Sequence, residues 1–226
     1  EASEPRKPDE KAELLRIGEV KQVVQAKQIE NPDARVTFDD GEQNKLLNEY
    51  VTPFQGISPG DTFRMRFCFF EVANALENNW YYMQSTPSAG EIYSGASYIL
   101  RNPYSFEVSK LDGFRLCGDK IINEKGIIVG KTASIPAGLF LGTLFDANAP
   151  VLRVDNNIII PALYCYCASS TYVKNLRKLD QKLDVSVAAM DKVPFDLAYW
   201  TQVAADKYPN GLPKPYSDDP TQWIFH

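Results

Sequence analysis

Ser58, Gly60, Arg64 and Arg66 are the residues whose types and spacing first suggest chemistry. They lie in the run Gln55-Gly56-Ile57-Ser58-Pro59-Gly60-Asp61 and the apolar block Thr62–Glu71 that follows it. Two glycines and a proline within seven residues predict a tight, exposed turn, since glycine tolerates positive φ and proline fixes its own. Two arginines follow directly. A rigid loop offering backbone amides and guanidinium groups together suits an anion such as a phosphate. The plainer reading is a turn between a helix and a buried element.

Further cations gather downstream. Lys120, Lys125, Lys131, Lys174, Arg177, Lys178 and Lys182 all fall within residues 101–182, which hold 11 Lys/Arg against 7 Asp/Glu, a local +4. The whole chain carries −5. A local basic face is what phosphate contact needs, whatever the charge elsewhere. Chance segregation of charge explains the same pattern, and plain solvation explains the lysines of the later helix.

Other chemistries lack their residues. The only histidine is His226, so Ser-His-Asp, Cys-His and His-metal sites have no basis here. No G-x-G-x-x-G, P-loop or zinc spacing occurs. Cys165 and Cys167 are spaced C-x-C, Cys68 and Cys117 are isolated, and all four read as free core thiols of a reducing cytoplasm. Asp61, Asp146 and Asp155 are the candidates for paired carboxylates, although acids so scattered are expected at the surface or in turns. No covalent chemistry is expected of this chain alone.

The elements that must position the cations follow from periodicity. Residues 1–10, charged and with two prolines, read as a linker, and residues 11–50 as a helical lead-in. Lys11–Ile29 has helical apolar spacing weakened by Gly18, and Asn31-Pro32-Asp33 stops it. Ala34–Phe38 suggests a short strand, Asp39-Asp40-Gly41 a turn, and Glu42–Tyr50 a second short helix. From Phe63 to Val154 the pattern is mainly β. Phe63–Phe69 alternates, although a short helix fits there too. The later strand candidates are Trp80–Gln84, Ser97–Leu100, Ser105–Lys110, Phe114–Leu116, Gly126–Val129, Leu139–Phe145 and Pro150–Val154, with a hairpin-like turn at Asn123–Gly126. Ile159–Leu179 switches to a helical period with a basic outer edge. Phe195–Tyr208 is a last helix, and residues 209–226 form a Pro-rich tail. Its aromatic end, Trp223-Ile224-Phe225-His226, suggests a fragment of a longer protein. The expected class is α+β, with a mixed, mainly antiparallel sheet core flanked by helices and the functional domain at 51–208. The longest apolar run, near Ile158–Cys167, is too short to cross a bilayer, so no membrane partner is expected.

Several stretches together resemble the C-terminal region of large adenine-specific DNA methyltransferases of bacterial restriction–modification and phage-defence systems. They are Leu46–Glu71 with its Q-G-I-S-P-G-D loop, Trp80–Ser85, Tyr93-Ser94-Gly95, Gly130–Val154, Leu163–Leu183 with Val193-Pro194, and Gly211–His226. Ser58-Pro59 departs from the loop's usual form. Asn102-Pro103-Tyr104 lacks the second proline of the N-P-P-Y motif that aligns an adenine amine with a methyl donor. The resemblance implies a target recognition domain that grips duplex DNA in the cytoplasm. S-adenosylmethionine would bind in an N-terminal methyltransferase domain of the parent, with no cofactor in this fragment, and the target adenine would flip into that domain's pocket. Phosphate contacts would fall to Arg64, Arg66, Lys120, Lys125, Lys131, Lys174, Arg177, Lys178 and Lys182. Base edges would fall to polar residues among Ser85, Thr86, Ser88, Ser94 and Ser97. The alternative is an interaction scaffold within a restriction–modification assembly.

Overall fold

The computed structural model describes residues 7–18, 20, 22, 24–29, 45–72 and 79–214. The chain divides into two compact units, 1–44 and 45–226. The expected strand at Ala34–Phe38, the turn at Asp39–Gly41 and the aromatic chain end lie outside the described residues.

In the first unit the apolar spacing makes two helices rather than one. Helix α1 spans Pro8–Ile17 and α2 spans Gln25–Gln28. Proline at the first helical position starts α1 within the expected linker, and the Glu10 carboxylate accepts the Lys7 N–H. Gly18 takes an extended conformation and ends it. No residue of α1 is buried.

The second unit is α+β. In chain order it holds β1 (Val51–Phe54), β2 (Ser58–Pro59), α3 (Thr62–Met65), β3 (Arg66–Cys68), β4 (Trp80–Gln84), β5 (Tyr98–Arg101), α4 (Phe106–Ser109), β6 (Phe114–Arg115), β7 (Gly126–Val129), β8 (Ala137–Leu139), β9 (Leu144–Phe145) and β10 (Val151–Val154). Helices α5 (Ile160–Cys167), α6 (Ser170–Leu179) and α7 (Leu197–Lys207) follow. One sheet runs β1-β10-β7-β8 and another β3-β5-β4-β9, with a short β2-β6 pair. Every pair is antiparallel except β4-β9. Pro53 sits on β1, an edge strand, where its missing N–H costs no ladder bond.

Side-chain alternation explains the layers. In β7, Ile127 and Val129 face a core shared with α5, α6 and α7, while Ile128 faces a second core with Phe140, Phe145 and Val151. The first sheet is therefore covered on both faces: the helices lie on one side, and Phe145 of β9 packs on the other. A third core of Ile57, Met65, Met83, Leu100, Val108 and Leu144 lies under the second sheet and the β2-β6 pair.

Local chemistry overrides the β pattern at several places. Ser105–Lys110 is helical, because the Ser105 hydroxyl accepts the Val108 N–H and caps α4. Residues 62–65 are helical because Asp61 caps α3, and the strand begins only at Arg66. Leu139–Phe145 splits at Gly142, whose φ is +74°. Asn123–Gly126 is no hairpin: a 3-10 turn at Asp119–Ile121 precedes it, and β7 pairs with β8 and β10 instead. The long helix of 159–179 is two helices, since Ser169 caps the second through the Tyr172 N–H.

One buried polar side chain ties the sheets together. Gln84, 1% exposed, donates from Nε2 to the carbonyls of Ser94 and Leu139, both at 2.9 Å. Its Oε1 accepts the Leu141 N–H at 3.0 Å, so every polar atom of the amide is satisfied. Gln84→Ala leaves three backbone groups without these partners. We expect it to destabilise the domain by about 2–4 kcal/mol in denaturant titration, against under ~0.5 kcal/mol for Thr86→Ala on the exposed loop.

Candidate nucleic-acid interface

The Gln55–Asp61 loop is fixed by backbone contacts rather than by free turn geometry. The Ile57 N–H donates to the Phe145 carbonyl at 2.7 Å, and the Ala147 N–H returns to the Ile57 carbonyl at 2.9 Å. Gly56 does not use positive φ. It is glycine because a Cβ there would sit 2.2 Å from the Phe145 carbonyl oxygen. Gly60 does use it, with φ +69°, and its Cβ would lie 2.6 Å from the Asp112 carbonyl oxygen. Gly56, Ile57 and Pro59 are buried, so the loop is not the exposed turn expected. Ser58 pairs with Arg115 in the β2-β6 ladder. Ser58 and Gly60 are thus the frame of the loop.

The Ile57 amide of the loop and two amides of the α3 turn after it are engaged inside the protein. Besides Ile57, the Arg64 N–H reaches the Asp61 carboxylate at 3.3 Å, and the Met65 N–H reaches the Asp61 carbonyl at 3.1 Å. Met65 is buried and anchors α3, which leaves Phe63 and Arg64 pointing outward. The Arg64 side chain is 77% exposed and lies 3.8 Å from an Asp61 oxygen, a loose surface pair worth little.

Arg66 departs from the expected role. Its Nη1 lies 3.1 Å from Oδ2 of Asp146, and its guanidinium stacks 4.5 Å from the centroid of the Tyr98 ring. Asp146 is buried, and its other oxygen accepts the Asn148 N–H at 2.8 Å. Arg66 is therefore a structural cation, held inward by a carboxylate that sequence reasoning placed at the surface. Nothing in the local sequence of Asp146 signals this partner, 80 residues away.

A second group surrounds the loop after α6. Lys174 and Lys178 lie on the exposed side of that helix, opposite buried Tyr172 and Leu176. Arg177 is half-buried and donates to the carbonyls of Lys182 and Leu183. Lys131, with 12% of its side chain exposed, pairs with Asp184 at 3.1 Å. Arg177 and Lys131 thus shape the loop, and Lys182 is exposed upon it. Asp180 is buried at its base and accepts the Ser186 N–H at 2.9 Å and the Lys182 N–H at 3.1 Å. Those bonds, Ser186 foremost, hold its carboxyl below the usual carboxylate range. Lys120 and Lys125 are exposed on either side of the Asn123 turn. The exposed cations of the expected set are Arg64, Lys120, Lys125, Lys174, Lys178 and Lys182.

The polar loop between β4 and β5 is closed at its base by the Ser85 N–H, which donates to the Gly95 carbonyl at 2.8 Å. The Ser94 hydroxyl accepts the Ser88 N–H at 2.9 Å. Of the expected base readers, Thr86 and Ser88 are exposed, while Ser85, Ser94 and Ser97 are half-buried. Tyr93 donates to the Pro213 carbonyl at 2.8 Å and pins the start of the tail.

Among the described residues no group of three His, Cys, Asp or Glu side chains is placed to hold a metal ion, and no helix is long and apolar enough to cross a membrane. No protein-family model matches the chain, and no curated protein matches it significantly.

The lowered folded pKa of Asp180 means that folding favours its ionised form. Its contribution is present above the unfolded value of about 3.9 and disappears as pH falls through the folded value. Asp180→Ala should lower stability at neutral pH by about 1–2 kcal/mol and flatten the acid limb of the stability profile below pH ~4, read by denaturant titration across pH.

Proposed function

We propose that the second unit is a DNA target recognition domain, a part of a site-specific adenine methyltransferase whose catalytic domain and S-adenosylmethionine site lie elsewhere in the parent. The observation that carries this reading is the Gln55–Asp61 loop. It is locked to β9 by backbone hydrogen bonds and presents exposed Arg64 on a capped turn. The backbone that carries this guanidinium is already fixed, so only the side chain has to be ordered when it meets a phosphate. Lys120, Lys125, Lys174, Lys178 and Lys182 supply further exposed positive charge. Thr86 and Ser88 stand exposed on an ordered loop and are the groups that would meet base edges. The protein then sets register on the duplex, and the flipped adenine is handed to the separate catalytic domain, in the cytoplasm.

A second reading has its own support. The exposed apolar residues of α1, Leu14, Leu15 and Ile17, suit a protein contact. On this reading the fragment is an interaction scaffold that docks onto its methyltransferase domain, and DNA is gripped elsewhere. A pull-down with that domain in the absence of DNA separates the two: capture lost in Leu15→Asp, with no duplex binding by the chain, favours the scaffold.

The DNA reading is tested by duplex affinity against ionic strength. Log affinity should fall with log salt by about 0.9 for each phosphate neutralised. Arg64→Ala should weaken binding to every sequence alike and reduce the slope by about one. Arg66→Lys should act on stability instead, because its charge is matched by Asp146. Absence of binding to any duplex pool at low salt contradicts the reading.

A further inference from the structure

Phe63 is 95% exposed, the largest exposure among the described bulky apolar side chains. Its setting is rigid. Asp61 caps the turn that carries it, Met65 anchors that turn in the core, and β3 begins at the next residue. Gly60 ahead of it is wedged against the Asp112 carbonyl. The backbone bearing Phe63 therefore has no slack in which to turn the ring inward.

The surroundings decide what such a ring can meet. Arg64 stands next to it, largely exposed. Arg115 is exposed on β6, opposite Ser58. The α4 turn roofs the same core through Val108 and carries exposed Phe106, with Lys110 lying 4.2 Å over its ring. Asp61, Glu107 and Asp112 are acids of the same segments, and Asp61 lies 3.8 Å from Arg64. A protein-docking patch gathers several apolar side chains around its anchor. The sequence neighbours of Phe63 on its turn are instead Thr62 and Arg64. An exposed ring on a fixed backbone turn, next to a guanidinium, matches a ligand that offers stacked π-faces and phosphates alternately.

We propose that Phe63 is a wedge that inserts between stacked base pairs of the duplex, with Arg64 holding the adjacent phosphate. The proposal rests on the DNA reading above and names the residue that would open the stack. Insertion leaves one base step unstacked, which lowers the cost of extruding a neighbouring base.

The test uses the 226-residue chain and duplexes with 2-aminopurine at successive interior positions of a bound site. Wild-type protein should raise the fluorescence severalfold at one position, as that base loses its neighbours. Phe63→Ala should abolish the rise while the salt slope of binding stays as it was. Phe63→Leu should keep most of the rise, because an aliphatic wedge still separates the step. Phe70→Ala, at another exposed aromatic, should leave the signal unchanged. A rise that survives in Phe63→Ala overturns the proposal, and so does duplex binding by wild type with no rise at any position. Failure of wild type to bind any duplex is distinct: it overturns the DNA reading and the wedge with it. Capture of protein partners that Phe63→Ala abolishes, without duplex binding, would assign the ring to a protein contact instead.

Discussion

The contact between buried Asp146 and half-buried Arg66 is the constraint on which the second unit turns. Asp146 lies between the two sheets' connecting segments, one residue after β9. Its backbone N–H reaches the Gln84 carbonyl at 2.9 Å, its carbonyl accepts the Ala149 N–H, and its carboxylate holds both Arg66 and the Asn148 N–H. Ile57 bridges to it from the glycine-rich loop. The loop at Ile57, β3 and β4 therefore meet at one acid. Such a pair contributes little net stability, since desolvating two charges offsets most of their attraction. Removing Arg66 leaves the buried Asp146 carboxylate with the Asn148 N–H alone, so the pair ties β3 to the segment after β9.

The outward face of the loop follows from that inward one. With Gly56 pressed on the Phe145 carbonyl and Ile57 bonded on both sides, the chain leaves the core at a set angle and turns at Gly60. Asp61 then closes a single helical turn whose buried side is Met65 and whose exposed side is Phe63 and Arg64. The later basic group is built by the same logic on a different core. There Arg177, Lys131 and Asp180 hold the loop that exposes Lys182. In both places some charged residues are fastened inside while others stand exposed on the same segment.

Much of the scaffold was legible in the sequence, and the reasons are local. Gly126–Val129 and the run to Val154 are strands because β-branched residues lie between two covered faces, and Trp80–Gln84 is a strand rich in aromatics. The basic edge of α6 followed from helical spacing. What escaped were events decided by one hydrogen bond or one distant partner. Ser105 turned an expected strand into a capped turn, Asp61 selected the short helix over the strand at residues 62–65, and Ser169 split an expected continuous helix in two. Among the cations, Arg64 and Arg66 look alike in sequence, yet one faces water and the other a buried acid. Only the long-range pairing of β3 with β5, and of β9 with β4, separates them. The glycines showed the same limit: Gly60 serves the turn as expected, whereas Gly56 is required by a carbonyl from a strand far along the chain.

Native-state hydrogen exchange at the amides of Ile57, Asp146 and Ala147 tests the anchoring of this loop most directly. If Asp146 locks the loop to β9, all three amides exchange only through global unfolding, with the denaturant dependence of the Ile127 amide in the core strand β7. Exchange of Ile57 and Ala147 through a local opening that is insensitive to denaturant, while Ile127 stays protected, would contradict the account.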